Sequence, residues 1–363
     1  MKITIVAGAR PNFVKIAPIM DAIRERNIKL NCISYRLIHT GQHFDYLMSH
    51  SFFSQLNIPQ PDANLDCMSG THAIQTADIM VKFENELLVN RPDVVLVVGD
   101  VTSTMACAIS AKKLNIDVVH VEAGIRSGDM NMPEEINRVI TDSICNHFFT
   151  TTILASNNLK MLNIPNDRIH MVGNTMIDSL YKQLNSAICP SFFKDFSIKE
   201  KDYFLLTLHR PSNVDNKDYL LSILETIHQS VDNKIVFFPV HPRTRKILQG
   251  FNNFYSNIIL VEPQPYLEFL FLLKNCKAII TDSGGISEES TVLNIPCLTL
   301  RNSTERPETI ELGTNELIGD DFKKLHHCLH VINENKWKTT NIPSLWDGHT
   351  AKRIVEILCN VYN

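Results

Sequence analysis

The sequence predicts an α/β protein made of two doubly wound, Rossmann-like domains, and three observations carry the prediction. Short apolar runs rich in Val and Ile recur at strand length and are apolar throughout, as parallel strands covered on both faces require. Helix-length amphipathic segments lie between them, the rhythm of βαβ units. A polar stretch from Ser191 to Asp202, SFFKDFSIKEKD, separates two series of runs, and 363 residues is long for a single core. Residues 1–172 are assigned to the first domain and 173–345 to the second. Residues 346–363 are read as a C-terminal helix able to pack on either domain, including back onto the first.

In chain order, the run Ile3 to Ala7 stops at Gly8-Ala9-Arg10-Pro11, and Val94 to Val98 stops at Gly99-Asp100. Val118 to Val121 carries His120-Val121-Glu122 at its end. In the second series, Phe204 to Thr207 leads to His209-Arg210, and Ile235 to Val240 leads to His241-Pro242-Arg243. Ala278 to Thr281 leads to Asp282-Ser283-Gly284-Gly285, and Cys297 to Leu300 completes the series. Ligands of such folds sit beyond the carboxyl ends of the strands, so these loops are expected to face a shared interdomain cleft. Any one of them reads as a helix cap or tight turn. Six such loops together point to a site.

Hydrophobic residues make up 44% of the chain and charged residues 20%, the balance of a globular protein. A net charge of -4 is too small to make nucleic acid or an anionic membrane the main partner, so any anion site must be local. No segment reaches the roughly 20 apolar residues that span a bilayer. The start, MKITIVAGARPNF, lacks the hydrophobic stretch and cleavage site of a signal peptide. Nine scattered cysteines without a Cys-x-x-Cys pair suggest neither a disulfide framework nor structural zinc. A reduced cytoplasm fits.

The stretch TDSGGISEES, Thr281 to Ser290, bears most directly on chemistry. Glycine lets backbone N–H groups approach a ligand closely, and the positive end of the following helix favours an anion, so Ser283-Gly284-Gly285 suits phosphate. Glu288 or Glu289, about one turn further on, is placed to accept ribose hydroxyls. The same glutamates can equally be helix-start charges that complement the macrodipole. The G-x-G-x-x-G, G-x-x-x-x-G-K-[ST] and Asp-x-Asp patterns are absent. His39 and His43 flank Thr40-Gly41 in a loop without a carboxylate to complete a metal site, which favours a structural role and no metal. A departing diphosphate then depends on cations and helix tips, with Arg10, Lys15, His209 and Arg306 of the right kind.

Acids concentrate at Asp100 and in HVEAGIRSGDMNMPEEINR, His120 to Arg138. After Pro133, Glu134 and Arg138 stand four apart on one face of a predicted helix, spaced to pair. A surface salt bridge accounts for that pair alone, whereas its nearness to Asp100 and Glu122 favours general acid/base work.

In this order, GARPNFVKIAPI, TGQH, GDVTST, HVEAGIRSGDMNMPEEINR, VGNTMID, TLHRPSNVD, TDSGGISEES and TERPE resemble the non-hydrolysing UDP-N-acetylglucosamine 2-epimerases, from Lys2 to about Gly319. The resemblance implies a glycosyltransferase-B-like fold, a homodimer, no cofactor, and a role in surface polysaccharide synthesis. It implies interconversion of UDP-GlcNAc and UDP-ManNAc by elimination of UDP, a 2-acetamidoglucal intermediate and re-addition. By the same resemblance the active-site acids are Asp100, Glu122 and Glu134, with Arg138, Lys15 and His209 beside them. The UDP contacts are Arg10, Gln264, Phe269, Ser283, Gly284, Gly285, Glu289 and Arg306. Phe269 sits at helical spacing where an aromatic is usually core, and only the resemblance makes it a uracil contact.

The chain departs from many relatives at His209-Arg210-Pro211-Ser212-Asn213, which lacks their second arginine and glutamate. Of the glutamines that help some bacterial members bind an activating second substrate, only Gln42 matches, and Asp45 replaces another. Related enzymes that act on UDP-diacetamido-glucuronate keep a second substrate open. A UDP-sugar-dependent glycosyltransferase and a non-catalytic sugar-binding module are the competing classes.

Overall fold

The computed structural model describes residues 1–41, 57–248 and 255–362. They form two units: Met1–Lys182 with Ser344–Asn363, and Gln183–Pro343. The first unit holds β1 (Lys2–Ala7), α1 (Arg10–Leu30), β2 (Ser34–His39), β3 (Ala63–Asn64), α2 (His72–Val89), β4 (Val94–Val98) and α3 (Thr102–Lys113). It continues with β5 (Asp117–Ala123), α4 (Pro133–Ile144), β6 (His147–Thr150), α5 (Ile153–Met161), β7 (Ile169–Met171) and α6 (Thr175–Gln183). The second unit holds β8 (Tyr203–Thr207), α7 (Pro211–Val214), α8 (Lys217–Ser230), β9 (Ile235–Pro239), α9 (Pro242–Ile247), β10 (Ile258–Val261) and α10 (Tyr266–Asn275). Then follow β11 (Ala278–Thr281), α11 (Gly284–Val292), β12 (Cys297–Thr299), α12 (Pro307–Glu311), β13 (Asn315–Leu317) and α13 (Phe322–Asn333), and the chain closes with α14 (Thr350–Tyr362).

The first sheet runs β3-β2-β1-β4-β5-β6-β7 and the second β10-β9-β8-β11-β12-β13, every pair parallel. The central strands Val94–Val98 and Tyr203–Leu206 are buried along their length, the burial that their unbroken apolar sequence requires. Strand order reverses between β1 and β4 in the first sheet and between β8 and β11 in the second. Beyond these strands the crossover helices leave on opposite faces, which opens a crevice at each carboxyl end. Asp100 follows β4, and Asp282 follows β11. Both reversals therefore carry loops that the sequence singled out.

The stretch 173–182, which the sequence reading gives to the second domain, falls in the first unit. Ile177 and Leu180 of α6 are fully buried, Ser179 Oγ donates to Val14 O (2.5 Å), and Lys182 pairs with Asp21. The C-terminal helix α14, left open between domains by the sequence, also joins the first unit. Ala351, Ile354, Val355 and Leu358 share a core with Phe13, Ile16 and Met20 of α1. Asp178 caps α14 by accepting from the N–H groups of Thr350 (3.1 Å) and Ala351 (2.7 Å). Among the described residues no helix is long and apolar enough to cross a membrane.

Candidate active site

In the first unit, Asn12 ties the ends of β1 and β4 together. Its Oδ1 accepts from Gly8 N (3.2 Å) and Ala9 N (3.0 Å), and its Nδ2 donates to Val98 O (3.1 Å). Beside it, Glu122 is the extra residue of a bulge, because the register with β6 passes from Val121 opposite Phe149 to Ala123 opposite Thr150. Its φ of 70° is uncommon for a residue with a side chain and costs about 1–3 kcal/mol. A bulge of this kind re-aims a side chain. Glu122 Oε2 lies 2.5 Å from Lys15 Nζ of α1, the two side chains only 7% and 12% exposed.

Asp100 stands one residue past Gly99, and two guanidinium nitrogens of Arg138 reach its Oδ2, Nε at 3.0 Å and Nη2 at 2.5 Å. Asn137 Nδ2 holds the Asp100 carbonyl at 2.8 Å. The pairing of Arg138 with Glu134 read from the sequence is corrected here. Arg138 Nη1 meets Glu135 Oε2 at 2.9 Å, while Glu134 is exposed on the first turn of α4 and takes no part in these pairs. A helix presents both the i+3 and the i+4 neighbour, and burial selects the former. Glu135 also accepts from Ser127 N (2.9 Å), Ser127 Oγ (3.1 Å) and Gly128 N (3.3 Å). Burial works to raise its pKa, but these donors and Arg138 outweigh it and hold the carboxyl below its usual range.

In the second unit, Thr207 of β8 pairs in register with Thr281 of β11, so His209 and Asp282 leave the sheet side by side. The fully buried Asp282 carboxylate accepts from His209 N (3.0 Å), Arg210 N (2.9 Å) and Asn213 Nδ2 (3.0 Å), and lies 2.6 Å from His209 Nδ1. Burial opposes its charge, yet His209 and the other donors keep its pKa below the ordinary value. Since this partner is an acceptor, Nδ1 carries a hydrogen, and Nε2 is left for other contacts on a side chain that is 63% exposed.

The helix α11 starts at Gly284 with Ser283 as N-cap, and the serine side chain makes no capping bond. Its leading amides therefore lack a side-chain cap, the condition for meeting an anion. The guanidinium of Arg301, a residue the sequence reading missed, reaches within 3.5 Å of where a Cβ on Gly284 would stand and pairs with Glu305 (2.9 Å). Arg306 Nε pairs with Glu288 at 2.6 Å. The neighbouring Glu289 accepts from Tyr266 OH (3.2 Å). Burial pushes its pKa up to about 7, with the Tyr266 bond acting against the rise and Glu288 adding to it. Gln264 is half-buried in the loop before α10, its Nε2 donating to Glu262 O (2.6 Å), and Phe269 is half-buried against the core that contains Leu272 and Leu273.

Lys15, Asp100, Glu122 and Arg138 thus gather around the ends of β4 and β5, and His209, Ser283, Gly284, Gly285, Glu289 and Arg306 around those of β8, β11 and β12. Arg10 opens α1 on its backbone, but its side chain lies outside the described residues, as do Gln42, His43 and Asp45. His39 is buried, with Nδ1 accepting from Gly41 N (2.9 Å) and its ring edge-on to Phe13. Glu135 and Asp282, named in the sequence only within longer stretches, received no role there because a helix-start glutamate and a strand-end aspartate read as ordinary caps. The adjacent Pro-Glu-Glu with an arginine three residues after the second glutamate was the available signal for Glu135.

The fold and the two sites define a class first: a two-unit, glycosyltransferase-B-like α/β enzyme with an uncapped helix tip beside arginines in one unit and clustered carboxylates in the other. The family model described as UDP-N-acetylglucosamine 2-epimerase matches residues 26–359, and the chain belongs to this family of isomerases. The UDP-N-acetylglucosamine 2-epimerase of Methanocaldococcus jannaschii is 44% identical over 371 residues, 99% of each chain. Its crystal structure in complex with UDP-GlcNAc and UDP matches with a TM-score of 0.86 at 44% identity, covering 99% of this chain and 100% of that one. The UDP-2,3-diacetamido-2,3-dideoxy-D-glucuronate 2-epimerase of Pseudomonas aeruginosa is 38% identical over 323 residues, 88% of each. The glycosyltransferase SnogD of Streptomyces nogalater, at 13% identity and a TM-score of 0.56 over 98% of this chain and 100% of that one, shares the fold alone.

Proposed function

We propose that the chain interconverts UDP-GlcNAc and UDP-ManNAc by eliminating and re-adding UDP. The reading rests on one observation: carboxylates held by cations at the strand reversal of one sheet, and an arginine-flanked, uncapped helix tip at that of the other. The hydrogen on carbon 2 of the sugar is not beside a carbonyl, so a carboxylate alone removes it poorly. As the bond from carbon 1 to the UDP oxygen breaks, positive character at carbon 1 acidifies that hydrogen. Stabilisation of the leaving diphosphate therefore leads the reaction. Ser283, Gly284, Gly285, His209, Arg301, Arg306 and Arg10 are assigned to the diphosphate, Glu289 to the ribose, and Gln264 and Phe269 to the uracil. Asp100, Glu122 and Glu134 are assigned to proton removal and return, with Lys15 and Arg138 tuning them.

The test is incubation with UDP-GlcNAc in heavy water without added metal or nicotinamide. Deuterium is expected at carbon 2 of recovered UDP-GlcNAc and of newly formed UDP-ManNAc, and UDP-ManNAc without label sinks the mechanism. The 38% identity to the Pseudomonas enzyme supports a second reading, UDP-2,3-diacetamido-glucuronate as substrate. The same isotope readout on both nucleotide sugars decides between them. In either case the product is an activated sugar made in the cytoplasm for surface polysaccharide.

Glu289 gives a pH expectation. Its folded pKa of about 7 lies above the value of 4.5 for an unperturbed glutamate, so the ionised form lowers stability as pH rises between the two. At pH 8 Glu289→Gln is expected to raise stability by up to about 3 kcal/mol and at pH 4 to change it little. UDP affinity is expected to move the other way: the variant binds UDP more weakly, and the wild type loses affinity as pH falls through about 7. Calorimetric titration with UDP at pH 6 and pH 8, beside melting curves, checks both.

Homodimerisation belongs to the same reading. Ile74, Val81 and Leu88 of α2 are 49%, 59% and 64% exposed and stand seven residues apart, which places them on one stripe. Such a stripe fits a second copy of the chain. Val81→Glu is expected to convert a dimer to a monomer in light scattering behind a sizing column.

A further inference from the structure

Beneath the carboxylates of the first unit lies a buried polar chain that the proposed chemistry does not use. His120, on β5 two residues before Glu122, is fully buried. Its Nδ1 meets Asp142 Oδ1 at 2.7 Å and its Nε2 meets Gly99 O at 2.8 Å. Asp142, on α4 and 1% exposed, also accepts from Gly124 N (3.1 Å) and pairs through Oδ2 with Arg126 Nη1 (2.6 Å). Burial acts to raise the Asp142 pKa, but His120 and Arg126 outweigh it and keep the carboxyl below its usual range.

The contacts fall at telling positions. Gly99 is bonded to Asp100, and Gly99 N donates to Val121 O (3.0 Å), next to Glu122. Gly124 stands two residues past Glu122, where a Cβ would come within 2.2 Å of Ala155 O, so only glycine lets the backbone approach α5 this closely. The His120–Asp142 pair thus grips the main chain one residue before Asp100 and two residues after Glu122. It comes from α4, the helix that also sends Arg138 to Asp100.

We propose that His120 and Asp142 are positioning residues that fix the spacing of the Asp100 and Glu122 carboxylates by holding the Gly99 carbonyl and the Gly124 amide. This rests on the reading of those carboxylates as the acids that move the carbon-2 proton. Displacing either by about an ångström is enough to slow proton transfer strongly. A buried ion pair that only stabilises the fold gives the same contacts, so the test must separate the two roles.

The experiment runs wild type, Asp142→Asn and His120→Gln with UDP-GlcNAc in heavy water, each rate normalised to the number of UDP-binding sites titrated. Both variants are expected to lose about 10- to 100-fold in kcat, with KM changed less than about twofold. The balance between deuterium entering recovered UDP-GlcNAc and UDP-ManNAc formed is expected to shift, with more UDP released to solution, because removal and return of the proton lose their common geometry. Normalised rates within about twofold of wild type, or slower rates with that balance unchanged, overturn the proposal. If Asp142→Asn does not fold, His120→Gln is judged alone by the same criteria. A wild type that exchanges no deuterium removes the acid assignment first, and this inference with it.

Discussion

Glu122→Gln is expected to abolish measurable epimerisation, a loss of about 10²- to 10⁴-fold in kcat, while leaving UDP binding near wild type. The substitution keeps size and shape but removes the group able to take a proton. It also leaves the Lys15 ammonium, 2.5 Å from Oε2, facing a neutral amide in a nearly closed space. Two secondary signs follow from the backbone. Glutamine inherits the left-handed φ of 70°, so its folding penalty is unchanged, and the melting temperature should fall through the lost ion pair. Deuterium exchange at carbon 2 should fall with epimerisation, since no proton is removed. A variant that still exchanges label at the wild-type rate would dismiss Glu122 as the base and leave Asp100 or Glu134.

Asp282→Asn is the second large effect. The carboxylate has no exposed surface and gathers the His209 and Arg210 amides, the Asn213 side chain and the His209 ring. Asparagine retains one acceptor oxygen and brings an NH₂ group into a space built of donors. Mismatching these buried hydrogen bonds costs about 1–3 kcal/mol, and the loop that carries His209 loses its anchor. Weaker UDP binding and a lower kcat are expected together, with melting at pH 7 as the check. The sign with pH is fixed by the depressed carboxyl pKa: the contribution of Asp282 is present above the unfolded aspartate value and is lost as pH falls through the folded one. Wild type and variant should therefore converge in stability towards strongly acid pH.

The interior of each sheet was legible in the sequence and its margins were not. The runs at β1, β4, β5, β8, β9, β11 and β12 are apolar because both faces are covered. Of the strands towards the edges, β2, β3, β6, β7 and β13 are short or carry polar residues, such as Ser34 and Arg36 in β2 and His170 in β7, whereas β10, IILV, is apolar throughout and was passed over. Less cover there demands less apolar sequence. Strand-end positions for Asp100, Glu122, His209 and Gly284 followed from local pattern. What pattern missed was the choice among near-equivalent neighbours: Glu135 over Glu134 for Arg138, and Asp282 as the anchor of His209. Those choices depend on hydrogen bonds spanning from 3 to 73 residues of chain.

The second unit is one uninterrupted stretch, whereas the first borrows Ser344–Asn363 from the far end of the chain. During synthesis, the part of the apolar face of α1 that α14 covers stays bare until α14 itself has been made, long after α1. Gln183–Pro343 is complete earlier. The first unit is thus completed after the second, against the usual order in which the amino-terminal part finishes first, and truncations within α14 should strand newly made molecules with chaperones.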